Sequence, residues 1–191
     1  MTASRSAVAI LVRPSGDDLE ILMLQRARHE GDPWSGHMAF PGGRQDPEDA
    51  DEMVTAMREC VEETGIQLSA RDTLGRLSDL VTRTHSNKGV MVVTPYVFWC
   101  PGHVTVRHSH ETVSDIWIPL STFARVNREQ MRWWLNRWFS VRVPCYHFHE
   151  YRIWGLSLMM IDELRRCLVE KKRRYPSLLE RMTLRLRSGK D

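Results

Sequence analysis

Three carboxylates fall at spacings of three and four residues in the stretch Arg58-Glu59-Cys60-Val61-Glu62-Glu63-Thr64-Gly65. If that stretch is helical, Glu59, Glu62 and Glu63 share one face. Like charges so placed oppose helix formation by roughly a few tenths of a kcal/mol per pair. A divalent cation reverses the sign of that effect. Hard Mg²⁺ takes oxygen ligands in octahedral geometry and keeps several waters, leaving positions for substrate phosphates. Arg58 can hold one carboxylate by a bidentate bond. The opposite face carries Val54, Met57 and Val61, with Ala50 and Ala56 near its edge. Such a helix turns one face to a core and the other to a site. The plainer alternative is a solvated acidic face. Gly42 and Gly43, just upstream, weigh against it, because glycines let a backbone turn sharply and come close to a ligand.

Positioning that helix calls for a scaffold. Residues 6–13 and 19–26 are apolar and β-prone, and the turn cluster Pro14-Ser15-Gly16-Asp17-Asp18 between them predicts a strand pair. Residues 29–37 form a polar loop, and 38–40 a short strand running into Pro41-Gly42-Gly43. The helix is predicted over 46–64, with Asp49 or a neighbouring acid as its cap and Gly65 as its stop. Strands follow at 74–83, 90–100 and 114–120, although Pro95 argues against an uninterrupted central strand. Residues 121–139 are predicted helical in part, 141–152 β-like, 154–172 a long helix and 176–187 a short one. Strands, one acidic helix, more strands and then helices predict an α+β fold or a mixed sandwich.

Together the loop and the helix resemble the Nudix box, G-x5-E-x7-R-E-U-x-E-E-x-G-U with U aliphatic. The second half matches from Arg58 to Ile66, with Cys60 in an aliphatic position. The first half is displaced by one, so the generic first Gly falls on Arg44 and the generic first Glu on Ala50. That displacement, with Phe40-Pro41-Gly42-Gly43, Asp46-Pro47, Asp49-x-Asp51 and Thr55-Ala56-Met57-Arg58-Glu59, resembles the coenzyme A diphosphatase branch. Leu22 to Ala27, Trp117-Ile118-Pro119-Leu120 and Ile153-Trp154-Gly155-Leu156-Ser157 resemble further motifs of that branch, and the likeness spans residues 6–170. Its upstream motif is incomplete, with Gly31 and Trp34 where the branch has a second Arg and a His.

The resemblance implies an α/β/α sandwich around a central mixed sheet, and cleavage of a nucleoside diphosphate derivative with Mg²⁺ or Mn²⁺. It implies Glu59, Glu62 and Glu63 as metal ligands and Arg58 as an orienting group. Glu62 and Glu111 are the two candidates for general base; the alternatives are a purely metal-binding Glu62 and a solvated loop acid at Glu111. Gly42 and Gly43 would approach the substrate, and Arg26 is either a phosphate contact or a surface ion pair. The first substrate expected is coenzyme A or an acyl derivative, giving 3′,5′-ADP and a 4′-phosphopantetheine product. ADP-ribose and dinucleotide polyphosphates are the alternatives within the same chemistry. A binding module for a ligand or RNA, with the fold but little turnover, is the alternative outside it.

The 191 residues, 42% hydrophobic and 27% charged, suit one globular domain at 1–170 with a basic helical tail at 171–191. The net charge of +3 conceals a split. Residues 44–63 hold eight acidic and two basic side chains, and residues 164–191 hold ten basic and three acidic ones. No apolar run reaches a membrane span, so the expected compartment is the cytoplasm, with no membrane partner. Cys60, Cys100, Cys145 and Cys167 are too scattered for a zinc ribbon or a disulfide framework. His108-x-His110 and His147-x-His149 lack the further ligands a metal site needs. The Arg132-Trp133-Trp134 to Phe139 segment is expected to pack against the sheet, form a homodimer contact or line the pocket, rather than bind nucleic acid.

Overall fold

In the computed structural model, β1 (Ser4–Ser15) turns at Gly16, with φ at 59°, into β2 (Asp18–Arg26). The structure describes residues 3–27, 35–83, 89–100, 104–107, 109, 112–125, 128–134 and 138–174. Next come β3 (Met38–Ala39), β4 (Gly42–Arg44) and the acidic helix α1 (Glu52–Thr64). Then follow β5 (Thr73–Arg76), β6 (Leu80–Arg83), β7 (Val90–Trp99), β8 (Thr112–Pro119) and the short α2 (Leu120–Arg125). The last elements are β9 (Glu129–Trp134), β10 (Ser140–Phe148), β11 (Tyr151–Trp154) and α3 (Gly155–Arg174).

Strand β1 organises the mixed sheet. Its first half pairs antiparallel with β4, Ser6 opposite Arg44 and Val8 opposite Gly42. Its second half pairs antiparallel with β2, and along most of its length it runs parallel to β7. The sheet continues through β8 on β2 and through β5 and β6 on β7, while β9, β10 and β11 form a separate sheet. Being covered on both faces, β1 reads as a nearly unbroken apolar run. Ala7, Ala9 and Leu11 join Ala56 and Cys60 of α1 in one core. Ile10 and Val12 join Leu158, Ile161 and Leu164 of α3 in the other. The layers meet the expectation of an α+β sandwich, and the alanines of β1 let α1 come close.

Two expectations need correction, and two others gain detail. The predicted strand at 74–83 is two strands, because Leu77 turns into the core while Ser78 donates to Glu163 of α3. That break also explains Pro95 in a central strand. Its carbonyl accepts from Leu77 N at 2.9 Å. Since the N–H and C=O of a strand residue point the same way, its missing N–H falls on this interrupted edge and the ladder to β1 is intact. Residues 121–139 are helical in part, as expected: α2 ends at Arg125 and the strand β9 follows. Residues 141–152 are β, as expected, and form a hairpin turning at His149, which has φ at 53°. Finally α1 begins at Glu52, not at residue 46. The short helix expected at 176–187 lies outside the described residues. Among those described, no helix is long and apolar enough to cross a membrane.

Candidate active site

Helix α1 is fixed at both ends. Asp51 is extended and accepts from Val54 N at 2.8 Å, which satisfies one of the open N–H groups of the first turn. Gly65 stops the helix in the left-handed region, at φ 72°, and its N–H bonds Val61 O at 2.8 Å. Thr55, Ala56, Cys60 and Thr64 are buried. Burial pushes the Cys60 thiol up to about 12, and it raises the Cys100 and Cys145 thiols as well, so these are packing groups at neutral pH.

The cap is thus Asp51, one of the neighbouring acids expected beside Asp49, and the loop before the helix is built around Asp49 itself. Its carboxylate receives Arg58 Nε at 3.2 Å and Nη2 at 2.9 Å, the Thr55 hydroxyl at 2.9 Å and Asp46 N at 3.0 Å. The guanidinium of Arg58 holds the Asp49 carboxyl down at about 2, and the same bond raises Arg58 further above its ordinary value. Arg58 spends its remaining donors on Arg44 O at 2.9 Å, Glu59 at 2.9 Å and Glu62 at 3.1 Å. The bidentate partner is therefore Asp49, and Arg58 orients the acids of the helix. Two acidic residues three apart, Asp46 and Asp49, nine or more before an Arg, were the available signal for this clamp.

Gly42 and Gly43 make no sharp turn: both lie in β4 and neither has a positive φ. Close approach is what they serve. A Cβ on Gly43 would stand within 3.0 Å of the Glu59 carboxylate, and one on Gly42 within 3.0 Å of Ala7 O and Val8. Ser6 Oγ donates to the Gly43 carbonyl and ties this backbone to β1.

These groups border a cavity of about 620 Å³. From α1, β2 and β4 it receives Glu63, Arg26, Arg44 and the two glycines. From α3 and β7 it receives Leu156, Met159, Met160 and Met91. Glu63 thus faces the cavity, Glu59 sits on its glycine wall, and Glu62 is turned to Arg58 with its side chain 56% exposed. Glu111 lies outside the described residues. Among those described, no three His, Cys, Asp or Glu side chains converge as a metal site. Glu59 and Glu63 nonetheless offer hard oxygens beside the seat that Gly43 leaves open, a donor set suited to Mg²⁺ or Mn²⁺.

The aromatic segment reaches the cavity indirectly. Trp133 packs on Trp154 with centroids 4.4 Å apart, and Trp154 meets His37 edge-on at 5.0 Å. Trp154, from the Ile153 to Ser157 motif, and His37 line the cavity, although neither was expected as a site residue; Trp138 is 79% exposed. His147 bonds Arg152 and faces Glu129, so its ring is a structural link.

Comparison with known proteins agrees with this geometry. The NUDIX domain profile matches residues 3–140. The uncharacterized Nudix hydrolase NudL of Yersinia enterocolitica is 33% identical over 161 residues, which are 82% of this chain and 76% of that protein. NudL of Photorhabdus laumondii is 31% identical over 131 residues, 68% of this chain and 67% of that protein. In fold, the chain is similar to a MutT/nudix family protein from Enterococcus faecalis, with a TM-score of 0.64 and 18% identity over 94% of this chain and 67% of that one. It is also similar to the NUDIX domain of Shewanella oneidensis NrtR complexed with ADP ribose, with a TM-score of 0.60 and 17% identity over 88% and 90% of the two chains.

Proposed function

The chain belongs to the Nudix family and is a hydrolase acting on phosphorus-containing anhydrides, and from that premise we propose that it cleaves the diphosphate of coenzyme A or an acyl derivative, in the cytoplasm, to 3′,5′-ADP and a 4′-phosphopantetheine product. One observation carries this substrate: the cavity joins a charged, glycine-lined side to a methionine-rich side. A diphosphate suits the first. A long flexible arm suits the second, since methionine side chains adapt to irregular apolar shapes. A hydroxyl-rich sugar against Met91, Met159 and Met160 would exchange hydrogen bonds to water for apolar contacts, with Thr82 and Ser157 as the hydroxyl groups nearby in the lining.

In this reading Glu59 and Glu63, with Glu62, hold Mg²⁺ or Mn²⁺, and Arg58 keeps Glu59 and Glu62 in place. Bound there, the metal supplies charge neutralisation at the phosphate oxygens and an activated water. Arg26 contacts phosphate from the end of β2, and the backbone of Gly42 and Gly43 gives the substrate room. The base that takes the proton of the attacking water is Glu62 or Glu111.

The test is incubation with Mg²⁺ or Mn²⁺ and a panel of coenzyme A, ADP-ribose and a dinucleotide polyphosphate, with products identified. Release of 3′,5′-ADP from coenzyme A as the preferred reaction supports the proposal, and a preference for ADP-ribose overturns it. Gly31 and Trp34 stand where the coenzyme A branch has an Arg and a His, which weighs against coenzyme A and leaves ADP-ribose as the second reading. The NrtR domain, which is similar in fold, was crystallised with that molecule.

A further inference from the structure

Adjoining the main cavity is a second one of about 240 Å³, and His37, Met38 and Trp154 line both. Its volume is below the range that holds a whole drug-sized ligand, so it suits one ring system of a larger molecule. Its lining is mainly polar, with the rings of Trp154 and His37 as its aromatic wall. Trp133, packed on Trp154 at 4.4 Å, keeps that wall in place.

Two opposite charges, Glu150 and Arg152, line this chamber without forming an ion pair with each other. Arg152 is anchored. Its Nε donates to His147 Nε2 at 3.0 Å, and His147 Nδ1 faces Glu129 at 3.1 Å. The terminal N–H groups of Arg152 are then donors on a fixed side chain, and the Glu150 carboxylate is an acceptor. Gln25, His147 and Tyr151 also line the chamber, but Gln25 and Tyr151 bond Ser114 and His147 bonds Arg152. The acceptor of Glu150 and the terminal donors of Arg152 then match a flat ring whose edge carries an amino group beside an unprotonated ring nitrogen. Adenine and cytosine have that edge. Hypoxanthine and uracil present a carbonyl and an N–H instead, which mismatches both groups.

We propose that this chamber is a nucleobase subsite, selective for an amino-bearing base. Glu150 accepts from the exocyclic amino group and Arg152 donates to the ring nitrogen. The inference rests on the reading of the chain as a hydrolase of nucleoside diphosphate derivatives.

Calorimetric titration of the full chain with AMP, IMP, CMP and UMP, without metal, tests it. AMP and CMP are expected to bind about tenfold more tightly than IMP and UMP, the effect of one well-placed hydrogen bond. Glu150→Gln should bring the AMP to IMP ratio close to one, and Arg152→Gln should weaken AMP about tenfold. Both residues are exposed on the hairpin, so the variants keep the fold, which an unchanged thermal melt verifies. Absence of nucleotide binding, equal affinity for AMP and IMP in the wild type, or variants that bind as the wild type does would each overturn the subsite. Turnover of the diphosphate panel is measured separately. Turnover without base preference sinks the subsite and spares the hydrolase reading; base preference without turnover does the reverse.

Discussion

Glu59 and Glu63 differ from the other acids of α1 in what they face, one seated on Gly43 and the other lining the cavity. Replacing either by Gln keeps the shape and removes the charge that would hold a divalent cation. Glu59→Gln and Glu63→Gln are each expected to cut turnover by about two or more orders of magnitude, consistent with loss of a metal ligand, with an unchanged melting curve. Full activity in either variant would sink the assignment. Asp49 answers a different question, that of stability. Its folded value of about 2 lies below the ordinary 3.8. A depressed carboxyl stabilises the fold fully above 3.8, and that contribution is lost as pH falls toward 2. Allowing for solvent screening at the helix end, the loss is about 1 kcal/mol. Urea unfolding at neutral pH and near pH 3 should show this acid weakening in the wild type and much less of it in Asp49→Asn. Equal slopes would mean that the Arg58 bond adds nothing in solution.

At the scale of elements, the contact of β4 with α1 decides whether the acids are positioned. Gly43→Ala places a methyl group within 3.0 Å of the Glu59 carboxylate, so strand or side chain must shift. Turnover is expected to fall about tenfold or more, in line with the sensitivity of catalysis to misplacement on the ångström scale. Asp51→Ala, by contrast, removes only the cap of α1 and should cost about 1 kcal/mol with little effect on kcat; a large loss of kcat would show that the cap also sets the pose of the acids. The helix and its acidic face were legible from spacing, because an i, i+3, i+4 pattern with a terminal glycine is a local signal. The Arg58 clamp on Asp49 was not, since the loop's path brings residues nine apart together. Strand β9 was missed because Arg132, Trp133 and Trp134 form an unbroken polar-aromatic run. Its alternation shows only once Trp133 is seen turned inward to Trp154 and Arg132 outward. The break at Ser78 depends on Glu163, eighty-five residues away, which no local pattern reports.

Across the whole molecule, the two faces of β1 divide labour. Ala7, Ala9 and Leu11 support the helix that carries the acids, and Ile10 and Val12 pack in the larger core with α3. The small alanines on the first face set how close α1 lies, and so whether Glu59 can sit on Gly43. Stability and catalysis should then separate by face. Ile161→Ala, in the larger core and away from the cavity lining, leaves a void and is expected to cost about 2–5 kcal/mol. Activity per folded molecule should be unchanged, as read by urea unfolding and by kcat in the native baseline. Ala56→Leu, fully buried on the inner face of α1, forces the helix outward; overpacking of this kind costs about 1–3 kcal/mol. It should lower kcat by more than its stability loss explains, because the displaced helix takes Glu59 off its glycine seat. If both variants lose activity only in proportion to the unfolded fraction, the depth of α1 does not control the site.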